Sequence, residues 1–478
     1  MSTASIAELS RVITSKGYAI RKDRISTDAL SKIKKDLTVS PKMIDKFSKG
    51  ALASFPLYQE SATRIYTPRQ WAISEFGEPE ANIISEGINL PSTVSFKGTP
   101  YPYQEAIIST FTNEYGNGLI CVPCGRGKTF MALNIAIRLK KRFLIVVDKE
   151  FLMNQWKGEI ENYIQGIRVG ILQGSKQEID PLKYDCTICM IQTVCQRDFQ
   201  EGAFKGYGFT IFDECHHLGA QHFSQVLNKI QTRNMLGLSA TPDRDDGLTK
   251  VFEYFLGKPV YQEKIRDPDP SVIVRAVWYR NEDPEYAEPP VDWRGEIITA
   301  RLLTQVVNCK ERTQKIINIA KEIADNPDRK ILILSERKAH LQEISDALKE
   351  YSRGYYIGGM KQCDLDKNSD TCQILLATYA MASEAMNIKT LNAMIMASPR
   401  KKVEQSTGRI LRVSADKRKV APLIVDVIDQ HTMYINQWYT RLKYYKQCQY
   451  TIEHVNKLKK TVQKVLPSEN GCIIQLDI

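Results

Sequence analysis

A chain of 478 residues with 43% hydrophobic and 25% charged residues is too long for one ordinary core and too apolar for disorder, so about two to four globular domains are expected. No apolar run reaches the roughly 20 residues that span a bilayer, and the first residues lack a basic stretch followed by an apolar one, which argues against a membrane span and an export signal. The formal charge of +11 is concentrated late, residues 398–465 holding 15 Lys and Arg against 5 Asp and Glu, a balance that suits a polyanion.

Residues 1–97 read as a small N-terminal accessory domain, with a lysine-rich helix over 27–36 and a loop or strand over 66–73. From 98 to 268, strands at 118–122, 143–148, 168–172, 185–190, 208–212 and 235–239 alternate with helices such as 150–163 and 221–230. That alternation predicts a parallel α/β sheet. Residues 269–300 are turn-rich and acidic and read as a linker. A second α/β series follows over 301–478, with strands at 330–334, 354–357, 373–377, 393–396 and 423–426 and a C-terminal helical extension.

The segment Pro123-Cys124-Gly125-Arg126-Gly127-Lys128-Thr129 joins a strand to a helix, the context of a phosphate-binding loop. Glycines at 125 and 127 let the backbone take positive φ and turn its N–H groups toward phosphates at a helix N-terminus. Lys128 then meets the β- and γ-phosphates, and the Thr129 hydroxyl is placed to ligate Mg²⁺. The chain therefore handles a nucleoside triphosphate. Only the first sheet carries such a loop, so the second sheet must supply something else.

Two further patterns have competing readings. Cys121 with Cys124 and Cys186 with Cys189 have zinc-like spacing, yet three of the four fall in predicted buried strands, where thiols act as small hydrophobes. Reduced thiols place the chain in cytosol or nucleus. Asp213 and Glu214 end an apolar strand, where ligands bind in open α/β sheets. Asp213 can hold Mg²⁺ and Glu214 can deprotonate an attacking water.

These motifs, in this order, resemble the superfamily 2 helicases and translocases, within them the XPB-like branch that includes the poxviral transcript-release helicase. Tyr101-Pro-Tyr-Gln104 is similar to the element that touches adenine. Leu144 to Trp156 resembles motif Ia, Ile191-Gln192-Thr193 the strand-contacting motif after it, Asp213-Glu-Cys-His-His217 a DExH (DEAH-type) box, and Ser239-Ala-Thr241 motif III. In the second series, 331–341 is similar to motif IV, Ala377-Thr378 to Glu384 to motif V, and Gln405 to Arg412 to motif VI.

The resemblance implies two tandem RecA-like lobes clamping ATP and Mg²⁺, with Arg409 and Arg412 as arginine fingers, Gln405 as a γ-phosphate sensor and Ser239 with Thr241 coupling hydrolysis to movement. It also implies nucleic-acid contacts from Gln192, Thr193, Thr378 and Arg244. Arg244-Asp245-Asp246 is a variant of the Arg-Glu-Asp element of the branch, and Glu384-Ala-Met-Asn387 departs from the usual Glu-Gly-Leu-Asp. The expected activity is that of an ATP-dependent DNA helicase or translocase in repair or transcription, with contact to that machinery and, for a viral source, packaging in the virion. An RNA helicase and a non-hydrolysing nucleic-acid-binding scaffold are the alternatives. The pattern Tyr434, Trp438, Tyr439, Leu442, Tyr445 in residues 433–464, interleaved with Arg441, Lys443 and Lys446, reads as a helix docking on the second lobe, with nucleic-acid contact as the alternative.

Overall fold

A computed structural model of the chain describes residues 8–42, 54–123, 125–240, 242–244, 246–263, 268–384, 388, 390–411, 413 and 417–456. The chain divides into two compact units, Met1–Lys264 and Ile265–Ile478. Each is built on a RecA-like parallel sheet.

The first unit carries eight strands in the order Lys176–Gln177, Val169–Gln173, Cys186–Met190, Phe143–Val147, Phe209–Phe212, Asn234–Ser239, Asn117–Cys121, Pro259–Gln262. All pair in parallel except the short edge strand at 176–177. Phe143–Val147 shows why the central strands are apolar at every position: Phe143, Ile145 and Val147 enter the core on one face, and Leu144 and Val146 enter the core on the other. A strand covered by helices on both faces has no solvent side to spend on polar residues. Every expected strand of this sheet is present. The expected helix at 221–230 is instead two short pieces, Gln221–Ser224 and Val226–Lys229.

The N-terminal residues form a five-stranded sheet of their own and the helix Thr27–Asp36. Their core is continuous with one face of the large sheet. Within 66–73 the strand Arg64–Thr67 leads into a helix, Arg69–Phe76, whose Trp71 packs edge-on to Phe76 and tilts over Tyr254 of the helix Thr249–Leu256.

The second unit has seven parallel strands in the order Arg353–Tyr356, Ile374–Ala377, Ile331–Leu334, Ala393–Met396, Leu423–Asp429, Ile273–Tyr279, Thr451–Val455. The strand Ile273–Tyr279 lies inside the stretch expected to be a linker and pairs along its whole length with Leu423–Asp429. The aromatic helix runs over Thr432–Gln447, burying Tyr434, Trp438, Tyr444 and Tyr445, and a strand, not more helix, follows it. Those four aromatic side chains are packing, while Tyr439 is exposed. No helix among the described residues is long and apolar enough to cross a membrane.

Candidate nucleotide site

In a parallel sheet all C-terminal strand ends share one edge, and the first unit brings its phosphate loop, its acid pair and Ser239 to that edge. The loop follows Asn117–Cys121 and opens the helix Lys128–Leu139. Gly125 and Gly127 take φ of +88° and +79°. At Gly127 a Cβ would also lie 2.5 Å from Gln104 Nε2, so both conformation and space exclude a side chain there.

Gln104, expected at the adenine, is buried behind the loop. Its Oε1 accepts from Tyr101 N at 3.0 Å and its Nε2 donates to the Arg126 carbonyl at 3.1 Å. The Tyr103 hydroxyl donates to the same carbonyl at 3.1 Å. The Arg126 guanidinium is paired with Glu263, Nε to Oε1 at 3.0 Å. Pro123 and Thr129 are half-buried on either side of the glycines. Cys124 lies outside the described residues. Of the cysteines expected to be buried, Cys121, Cys186 and Cys189 are buried free thiols on strands, and burial pushes Cys121 up to about 12.

Lys128 Nζ lies 3.5 Å from Glu214 Oε1, with both side chains about nine-tenths buried. The strand Phe209–Phe212 delivers Asp213 and Glu214, and Glu214 turns sharply into the left-handed region at φ 42°. Asp213 Oδ2 accepts from Trp156 Nε1 at 2.7 Å, and Oδ1 accepts from Glu214 N at 3.0 Å. Burial, then the neighbouring Glu214 charge, raises Asp213 to about 6. Burial alone would raise Glu214 as well, but Lys128 and then His216 hold it well below the usual carboxylate range. Glu214 Oε2 is buried without a hydrogen-bond partner, with the imidazole nitrogen His216 Nδ1 3.4 Å away. A buried acceptor left open calls for a ligand or water. The hydroxyl of Thr129 and the carboxylate of Asp213 are hard oxygen donors that fit Mg²⁺.

His216 Nδ1 also lies 3.1 Å from Ser239 Oγ, joining the acid motif to the end of Asn234–Ser239. His217 sits 3.7 Å from Asp148 Oδ2, and burial followed by the His216 charge pushes it down to about 4, which leaves it neutral at pH 7. Thr241 and Asp245 lie outside the described residues.

Of the residues expected to contact nucleic acid, Gln192, Thr193 and Arg244 make hydrogen bonds within the first unit. Gln192 Nε2 donates to the Asp148 carbonyl at 2.7 Å, and Thr193, buried, accepts from Gly174 N at 3.0 Å. Arg244 is held by Asp246, Nε to Oδ1 at 2.9 Å, and donates to the His216 carbonyl. Each of the three makes at least one such bond, while Gln192 Oε1 is buried without a partner. Thr378 is half-buried just past the C-terminal end of Ile374–Ala377. In the second unit, Arg409 is buried and its Nε donates to the Ala382 carbonyl at 2.7 Å. Arg412, residues 385–387 and the side chain of Gln405 lie outside what is described.

Sequence reasoning missed Trp156 and Glu263. Trp156 offered one signal, an indole N–H on the buried face of the helix Glu150–Tyr163, which a buried tryptophan must pair.

Residues 97–244 match the family described as "Type III restriction enzyme, res subunit". A protein of Acanthamoeba polyphaga mimivirus named "Putative ATP-dependent RNA helicase" is 31% identical over 457 residues, 92% of this chain and 86% of that one. An African swine fever virus protein given the same description is 27% identical over 383 residues, 74% of each chain. A "Probable helicase" of Escherichia phage T5 is 29% identical over 318 residues, 64% of this chain and 66% of its own. The Hef helicase domain of Pyrococcus furiosus superposes with a TM-score of 0.45 at 16% identity, covering 72% of this chain and 98% of that structure. With 92% of this chain matched to the mimiviral relative at 31% identity, the chain belongs to the family of ATP-dependent helicases that includes these viral proteins, and it is an ATP hydrolase.

Proposed function

We propose that this ATP hydrolase is a translocase that moves along nucleic acid by gripping phosphates, with DNA as its track. The observation that carries the hydrolytic half is the buried Glu214 carboxylate, paired through one oxygen with Lys128 at 3.5 Å and open at the other. The loop N–H groups at the start of Lys128–Leu139 are the cradle for the phosphates. When ATP arrives, the Lys128 ammonium moves from Glu214 to the phosphates. That removes the cation holding Glu214 low, so the carboxylate becomes a stronger base in the ATP-bound state. Glu214 then takes a proton from a water held at Oε2. Thr129 and Asp213 are the oxygen donors for Mg²⁺, which when bound offsets charge on the phosphates. Arg409 and Arg412, with Gln405, are assigned to the γ-phosphate by resemblance, and Ser239 and His216 to the link between hydrolysis and movement.

DNA is favoured by the description of the family matched at 97–244, a restriction enzyme subunit, and by the resemblance of residues 244–246 to the XPB-like element. RNA is the second reading, supported by the names of the mimiviral and African swine fever virus relatives. Contact with repair or transcription machinery, and a place in cytosol, nucleus or virion, belong to the same reading. The test measures phosphate release with single-stranded DNA, duplex DNA and RNA of equal length. DNA is expected to stimulate most; stimulation by RNA alone overturns the choice of track. Lys128→Ala is expected to abolish hydrolysis, and Glu214→Gln to bind ATP without turning it over. Wild-type turnover in Glu214→Gln would remove Glu214 as the base.

A further inference from the structure

The basic excess of residues 398–465 is only partly accounted for by motif VI. Lys417, Arg418 and Lys419 line a cleft of about 520 Å³ together with Arg329 and Lys330, and the carboxylates described in its lining are Asp328 and Asp370. Five cations therefore face two acids. Arg329 and Lys330, Gln373, Asn392 and Pro422 line the cleft and directly precede the strands Ile331–Leu334, Ile374–Ala377, Ala393–Met396 and Leu423–Asp429. The cleft thus opens at the N-terminal edge of the second sheet, the edge opposite Thr378.

The lobe neutralises only part of this charge. Arg418 is committed to Asp269, Nη1 to Oδ2 at 2.6 Å. Arg329 donates instead to a carbonyl, that of Ala421 at 2.6 Å, and Lys330 to that of Ser369. Among the described residues none of Arg329, Lys330, Lys417 and Lys419 makes an ion pair, and both lysines at 417 and 419 are exposed. Burial lowers the pKa of Arg329, with the Arg275 charge adding to it, and burial lowers that of Lys330. A concave cluster in which cations outnumber acids is suited to an anion of high charge density, and a guanidinium fork beside ammonium groups matches phosphate oxygens.

We propose that this cleft is a second phosphate-binding site, separate from the nucleotide loop. Its ligand is the phosphate groups of a nucleic-acid strand or of a free polyphosphate.

The full chain, with saturating ADP to fill the nucleotide loop, is titrated with tripolyphosphate by calorimetry and, separately, with a single-stranded oligonucleotide across a salt series. The comparison is with the exposed double variant Lys417→Gln/Lys419→Gln, whose ATP hydrolysis without nucleic acid is expected to stay at the wild-type rate. A polyphosphate ligand predicts tripolyphosphate binding that the variant weakens by about tenfold. A strand ligand predicts that the slope of log K against log salt falls by about 1.4, two contacts at about 0.7 each. Wild type and variant alike in both titrations overturn the site, whichever nucleic acid stimulates hydrolysis.

Discussion

Trp156 is the side chain that holds Asp213 still. Its indole is buried and its Nε1–H spends itself on Asp213 Oδ2 at 2.7 Å, so the carboxylate keeps one orientation before any ligand arrives. Trp156→Phe keeps most of the apolar contact and deletes the donor. A buried acceptor left without its partner costs about 1–3 kcal/mol. The expected outcome is that half-maximal ATP hydrolysis needs about tenfold more Mg²⁺, with thermal stability only modestly lowered. A magnesium titration of both proteins checks this, and an unchanged midpoint sinks the assignment. The residue lies in the segment that resembles motif Ia, yet nothing in a linear string says that the helix Glu150–Tyr163 ends up beside the end of Phe209–Phe212. The glycines were legible for the opposite reason: their role depends on local φ, which composition reveals directly.

Among elements, the helix Arg69–Phe76 ties the N-terminal sheet to the two strands that carry the phosphate loop and Ser239. Arg69, buried and pushed down to about 9 by that burial, donates to the Thr232 carbonyl at 2.9 Å, the Arg233 carbonyl at 3.2 Å and Asn117 Oδ1 at 2.6 Å. It meets backbone oxygens just before Asn234–Ser239 and the first side chain of Asn117–Cys121. Arg69→Met removes all of these bonds while keeping much of the apolar stem. The expected result is faster hydrogen exchange in Arg64–Phe76 and Asn234–Ser239, with Arg69→Lys intermediate; exchange unchanged in both strand and helix would show the tie to be incidental. Arg69 was hidden because residues 66–73 alternate too little to declare a helix. The strands buried on both faces were plain, since apolar runs such as Phe143–Val147 have few other uses. Ile273–Tyr279 was obscured by the Pro- and Glu-rich residues around it, and the bonds that Gln192, Thr193 and Arg244 make to Asp148, Gly174 and His216 join residues distant in sequence.

The stability of the second unit depends on buried charge arranged around one strand. Leu423–Asp429 presents Asp426 to Arg441 and Asp429 to Arg312, fastening the helices Thr432–Gln447 and Lys310–Ala324 to the sheet. Tyr445 and Tyr286 donate their hydroxyls to the same two carboxylates at 3.0 and 2.7 Å. Beside this network His340 is buried between Ser335 Oγ, 3.1 Å from Nδ1, and Thr313 Oγ1, 3.2 Å from Nε2. Burial, then the charge of Arg312, pushes His340 down from 6.5 to about 3. The folded ring therefore stays neutral where the unfolded ring takes a proton. Stability from this group is complete above pH 6.5 and is lost as pH falls from there toward 3, approaching about 1.4 kcal/mol per pH unit. His340→Gln, whose amide can still bond a hydroxyl, takes no proton. Opening free energies from hydrogen exchange of the Leu423–Asp429 amides, measured from pH 7.5 to 5, are expected to fall more steeply with acid in the wild type by up to that slope. Parallel curves for the two proteins would mean that the neutral ring is not what makes the second unit acid-sensitive.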